Sequence, residues 1–231
     1  DHMHTSTDTI SSTRRSEKRP TLPHVFLLSG DVPPDAPTII ARLGGTSLPA
    51  RGPFAAGATH LLAGSLRRTE KFLGAVACGL WVVKPSFLTA CEQAGDWVDE
   101  SPFEWDEAAA DSHIDPACIR RRRKEGGGVF RGARVILVGT LLPGADTWRR
   151  IIEAAGGSVA VTKQNMTQPV KRLMEETGDG LRLCVLPPDS KETKLVKTAI
   201  EKGFQCVPTS YLLDFLSKDP VPSIDSYLLF H

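Results

Sequence analysis

The chain has 231 residues, 41% of them apolar and 24% charged, and a formal net charge of +1. That balance suits a soluble globular protein of one or two domains and gives the chain as a whole no electrostatic pull toward nucleic acid. No apolar run approaches the length of a membrane span and no signal peptide is visible, so no membrane partner is expected.

Cys78, Cys91, Cys118, Cys184 and Cys206 are scattered with no C-x-x-C pair, which argues against a disulfide framework or a zinc site and for a reducing compartment. Residues 1–20 are polar, rich in Ser and Thr, and too poor in apolar groups to order themselves, so they read as a flexible tail. Val25-Phe26-Leu27-Leu28 then reads as a buried strand ended by a Ser29-Gly30 turn. A helix capped by Asp35 follows, with Ile39, Ile40 and Leu43 inward and Gly44-Gly45 stopping it. Thr46-Ser47-Leu48 is a weak strand and Thr59-His60-Leu61-Leu62-Ala63 a stronger one. His60 is expected to be a buried, hydrogen-bonded histidine, because no His, Cys or Asp stands at ligand spacing from it.

The next helix has both ends marked. Thr69 caps its N-terminus and Gly79 takes the left-handed position after its C-terminus. Phe72, Leu73, Val76 and Ala77 form its core stripe. Its charges are out of place: Lys71 lies in the first turn, where the dipole disfavours a cation, and Arg68 precedes the cap. Free N–H groups at a helix start already attract anions, and two cations there strengthen the site; the alternative is that both are solvated surface charges. Trp81-Val82-Val83 is a fourth strand, and a helix carrying Phe87, Leu88 and Cys91 ends at Gly95. Strand and helix alternation of this kind builds a small parallel sheet flanked by helices.

Residues 107–128 break the pattern. A helix from Asp115-Pro116 runs into Arg120, Arg121, Arg122, Arg123 and Lys124 and stops at Gly126-Gly127-Gly128. The basic run has two readings: a nucleic-acid or nuclear-import segment, or cations that suit a helix C-terminus and solvate a linker. After it the first pattern returns. Val135-Ile136-Leu137-Val138 leads into Gly139-Thr140, and a helix bearing Trp148, Ile151 and Ile152 ends at Gly156-Gly157. Strands follow at Ser158-Val159-Ala160-Val161, Cys184-Val185-Leu186 and Cys206-Val207, with Pro208-Thr209-Ser210-Tyr211 matching Pro85-Ser86-Phe87. The two Gly-Gly turns are 112 residues apart, the mark of an internal duplication.

Each repeat resembles a BRCT domain in its Gly-Gly turn, in the apolar strand before its second helix, and in the aromatic of its last helix, here Phe87 and Tyr211 where Trp is usual. The stretches 68–73, 79–83, 87–91 and 103–105 are similar to the C-terminal tandem BRCT pair of the DNA topoisomerase II-binding protein family. The resemblance implies an α/β fold of two BRCT repeats, each a four-stranded parallel sheet flanked by helices, packed as a tandem pair. It divides the chain into a tail at 1–20, a first repeat at 21–106, a partly helical basic linker at 107–128 and a second repeat at 129–231. It further implies a nuclear scaffold of replication and the DNA-damage checkpoint that binds phosphoserine or phosphothreonine peptides. The phosphate site it implies is Ser29, Gly30 and Lys71 with Arg68 nearby, and the partners are phosphorylated replication and checkpoint proteins, such as a repair helicase or a checkpoint kinase complex. Residues 31–41 carry no Lys or Arg, so a cation supplied there by relatives is absent, and Arg42, or nothing, replaces it. Lys194 of the second repeat is one residue out of register and reads as structural.

A DNA-binding or DNA-end-binding pair is the alternative, with weak binding expected at this net charge. No Ser–His–acid or Cys–His arrangement, paired carboxylates, metal-ligand spacing or phosphate-cradling G-x-x-x-x-G-K-[ST] loop stands in the sequence, so no enzyme, cofactor or metal is expected.

Overall fold

The computed structural model describes residues 23–106 and 113–230. The tail expected at 1–20, and residues 107–112 of the expected linker, lie outside the described residues. The first repeat runs β1 (Val25–Ser29), α1 (Ala36–Arg42), β2 (Thr46–Ser47), β3 (His60–Ala63), α2 (Glu70–Cys78), β4 (Trp81–Val83) and α3 (Ser86–Ala94). Helix α4 (Ala117–Lys124) follows. The second repeat runs β5 (Arg134–Val138), α5 (Ala145–Ala154), β6 (Ser158–Thr162), α6 (Gln168–Glu175), β7 (Arg182–Leu186), α7 (Lys194–Glu201), β8 (Gln205–Pro208) and α8 (Thr209–Ser217).

Each repeat holds a four-stranded parallel sheet, ordered β2-β1-β3-β4 and β6-β5-β7-β8. The duplication is therefore one of topology as well as sequence. Helix α6 stands where the sequence reading placed none. Val170, Leu173 and Met174 recur at helical spacing and bury one stripe against β6 and β5. The matching stretch of the first repeat, between β2 and β3, stays irregular, with Pro49, Gly52, Pro53 and Gly57 in it.

Helix α2 holds the molecule together. The Thr69 side chain accepts from Phe72 N–H at 3.3 Å, and Gly79 takes φ 69°, as the end signals require. Every residue from Lys71 to Ala77 is buried, so α2 is apolar nearly all round and must be covered on all sides. One face meets its own sheet; the others meet α4, α5 and α8. The Phe54 ring lies against Gly74, where a Cβ has no room. One hydrophobic core consequently runs from Leu61, Leu73 and Val82 through Cys118 and Ile119 to Trp148, Ile152 and Leu212. The outer faces of the two sheets keep smaller cores of their own.

The basic run has a role that neither sequence reading gave it. Glu104, 1% exposed at its side chain, accepts from Arg120 at 3.2 Å and from Arg123 at 2.9 and 3.0 Å. The Arg123 guanidinium also lies 3.5 Å over the Trp81 ring. Arg122 is buried over Phe215 and donates to the Phe215 carbonyl at 2.9 Å. Arg121 donates to Asp219 at 3.1 Å and to the Lys218 carbonyl at 3.1 Å. These four arginines are paired within the molecule and fasten α4 to both repeats. No helix among the described residues is long and apolar enough to cross a membrane.

Candidate phosphate site

Three of the four expected site residues meet at the C-terminal end of β1. Ser29 ends that strand and pairs in register with Ala63 of β3. Gly30 turns the chain at φ 72°, and a Cβ there would press on Ser65, so conformation and space both require glycine. Together with Ala50, Thr69 and Lys71 these residues line a cavity of about 310 Å³. The start of α2 opens into it, and the N–H groups of a first helical turn have no intrahelical partners.

Lys71 is not the solvated side chain that its position in the first turn would suggest. It is 7% exposed. Its ammonium donates to the carbonyls of Ala50 at 2.7 Å, Leu28 at 3.0 Å and Pro49 at 3.4 Å. Burial pulls its pKa below the usual lysine value, with the neighbouring Glu70 acting the other way. Two of those carbonyls come from the irregular stretch after β2, where the second repeat folds differently. No motif in the sequence marks that carbonyl cage.

Glu70 lines the same cavity and would oppose an anion, but its charge is answered from the second repeat. Arg150 donates to it at 2.7 and 3.0 Å, Thr147 at 3.0 Å and Phe54 N–H at 3.0 Å. Burial alone would raise this carboxyl; the hydrogen bonds from Arg150, Phe54 and Thr147 outweigh it and hold the pKa below the usual value.

Arg68 is not brought into the cavity. Its guanidinium donates to Asp214 of α8 and to the His113 carbonyl, and Tyr227 donates to the other Asp214 oxygen at 2.7 Å. It ties the start of α2 to the second repeat. Arg42 pairs with Glu92 at 2.8 Å and does not line the cavity either. Arg51, which the sequence reading passed over, stands exposed between the two lining residues Ala50 and Gly52. In the second repeat the corresponding cavity, about 1100 Å³, is lined by Gly139, Thr140, Lys163 and Lys191 but not by Lys194.

His60 is buried, as expected, with Nδ1 2.7 Å from Thr59 Oγ1. No ligand partner stands at ligand spacing from it in sequence, but the fold brings His24 and Glu100 beside it from 36 and 40 residues away.

Residues 51–105 match the family model described as the Regulator of Ty1 transposition protein 107 BRCT domain. BRCT domain-containing protein At4g02110 of Arabidopsis thaliana is 28% identical over 200 residues, 84% of this chain and 14% of that protein. SMC5-SMC6 complex localization factor protein 1 of Bos taurus is 33% identical over 118 residues, 47% of this chain and 11% of that protein. The chain thus spans only a small part of the length of these relatives. The BRCT5-BRCT6 domains of S. pombe Brc1 superpose with a TM-score of 0.60 at 18% identity, over 85% of this chain and 94% of that one. A complex of Rtt107p with phosphorylated histone H2A superposes at 0.51 and 14% identity, over 91% of this chain and 95% of that one. With the matched segment inside the first repeat and the same paired architecture throughout, the chain has the fold of a tandem BRCT pair.

Proposed function

We propose that the pair is a protein-interaction module whose first repeat binds peptides phosphorylated on serine or threonine, at Ser29, Gly30 and Lys71. The observation that carries this reading is the convergence of a hydroxyl, a glycine turn, a helix N-terminus and a buried ammonium on one small cavity. Each group suits a phosphate dianion, and the ammonium adds a charge-assisted bond. An entering phosphate would exchange with the longest of the three carbonyl contacts of Lys71, that to Pro49. Exposed Arg51 at the rim supplies the cation that residues 31–41 lack, whereas Arg68 would first have to release Asp214. A relative of the same fold has been solved with phosphorylated histone H2A, which supports a phosphoprotein partner.

The narrower reading keeps the likeness to the DNA topoisomerase II-binding protein family: a nuclear scaffold of replication and the damage checkpoint, with partners such as a phosphorylated repair helicase or checkpoint kinase complex. DNA binding is the weaker alternative, because the arginines that would carry it are engaged within the molecule. The test is fluorescence anisotropy with one peptide in phosphorylated and unphosphorylated forms. Binding of the phosphorylated form alone, lost in Lys71→Ala, is the expected result. Equal binding of both forms would overturn it.

A further inference from the structure

The phosphate cavity lies where the strands of the first sheet end; a second cluster lies where they begin. His24 immediately precedes β1, His60 opens β3, and Glu100 immediately precedes the 3-10 turn at Ser101–Phe103. His60 Nε2 lies 3.2 Å and His24 Nε2 3.8 Å from the same carboxylate oxygen, Glu100 Oε1. The three ligand atoms all fall within 4.8 Å of one another.

We propose that His24, His60 and Glu100 bind one divalent cation of the zinc class. Two imidazoles and a carboxylate are a zinc donor set that leaves a fourth position open. Donors about 2.0–2.2 Å from a tetrahedral zinc sit about 3.3–3.5 Å apart, and the two measured separations bracket that spacing. The remaining pair closes by a small movement of His24, whose ring is stacked on Trp97 at 4.2 Å near the start of the described chain.

The surroundings fit a bound ion. The His60 side chain is 5% exposed, and Thr59 orients it from behind. Thr59 Oγ1 is 3.2 Å from the Val25 carbonyl, so its proton can turn there while it accepts from His60 Nδ1–H. In that tautomer, which a metal selects by displacing the Nε2 proton shared with Glu100, the Nε2 lone pair faces the cluster, the arrangement in which a partner on one ring nitrogen frees the other for metal. A cavity of about 410 Å³ adjoins the three side chains and includes Asp99, leaving room for a water or a fourth carboxylate ligand. Glu100 supplies one negative charge toward the two positive charges of the ion. The site joins three segments distant in sequence, so its role is to pin the chain where it enters the first repeat. It does not depend on the peptide site.

The test is calorimetric titration of the full chain with Zn²⁺, with thermal melts in parallel. One zinc per chain and a Tm raised by several degrees are expected. Glu100→Gln, which keeps the size of the side chain, and His60→Asn should each abolish both effects. Thr59→Val should weaken binding about ten- to a hundred-fold. The double variant His2→Ala, His4→Ala should bind as the parent does. Melts without zinc show whether each variant folds. Absence of zinc binding, binding unchanged in folded Glu100→Gln, or binding lost in the His2, His4 variant would each overturn the proposal.

Discussion

At the scale of residues, the decisive group is Lys71, and its place shows what sequence can and cannot reveal. A cation in the first turn of a helix is visible as an anomaly in the string of letters. That its ammonium is enclosed by the carbonyls of Leu28, Pro49 and Ala50 is not visible, because the enclosing stretch has no motif. The consequence is that Lys71 serves both binding and stability. Lys71→Met should cost about 1.5–3 kcal/mol of phosphopeptide affinity, roughly ten- to a hundred-fold. It should also lower Tm, since three carbonyls lose a shared donor in a buried place. Ser29→Ala should cost less affinity and leave Tm alone, a neutral hydroxyl bond being weaker. Arg68→Ala should act the other way round, lowering Tm through the loss of Asp214 while changing affinity little. Anisotropy and melting curves on the three variants separate these roles; equal losses of affinity for Arg68→Ala and Lys71→Met would place Arg68 in the site.

At the scale of elements, much of the fold is legible because end signals mark the central helix and both repeats. Thr69 and Gly79 bound α2, and the Gly-Gly turns mark both repeats. What escapes the sequence lies where two repeats with one pattern fold differently. The stretch after β2 is irregular and supplies the carbonyls around Lys71, whereas its counterpart winds into α6. Helix α4 is legible in extent and opaque in role. Five basic residues in a row look solvated, and only the fold reveals buried Glu104 and half-buried Trp81 and Phe215 against three of them. Removing both partners of Glu104 leaves a buried charge uncompensated, a change that costs about 3–5 kcal/mol. Arg120→Ala with Arg123→Ala should therefore lower Tm strongly, while Arg120→Ala alone, its side chain 52% exposed, should do little. Adding Glu104→Gln to the double variant should recover part of the loss. A double variant that melts as the parent does would return the run to the solvated reading.

At the scale of the whole molecule, two clasps join the repeats around the start of α2: Arg68 with Asp214, and Glu70 with Arg150 and Thr147. Glu70 of the second clasp lines the phosphate cavity, and one core spans both repeats. A second repeat expressed alone loses the cover that α2 gives α5 and α8 and that α4 gives α8, so it should melt below the pair. The Glu70 clasp also sets an acid limit on the architecture. The Glu70 carboxyl has a lowered pKa in the folded protein, so folding favours its charged form. Its stabilising contribution is complete above the ordinary glutamate value of 4.5 and is lost as pH falls through the lowered value. The peptide phosphate takes up its own proton earlier, near pH 6. Two windows should therefore appear in order on acidification. Affinity for a phosphopeptide should weaken first, around pH 6, with Tm still holding its Glu70 share. The Tm difference between the parent and Glu70→Gln should stay constant from pH 7 to about pH 5 and shrink only below the ordinary glutamate range. A difference that already disappears near pH 6 would mean that Glu70 is not held charged by the second repeat, and that the clasp does not set the geometry of the site.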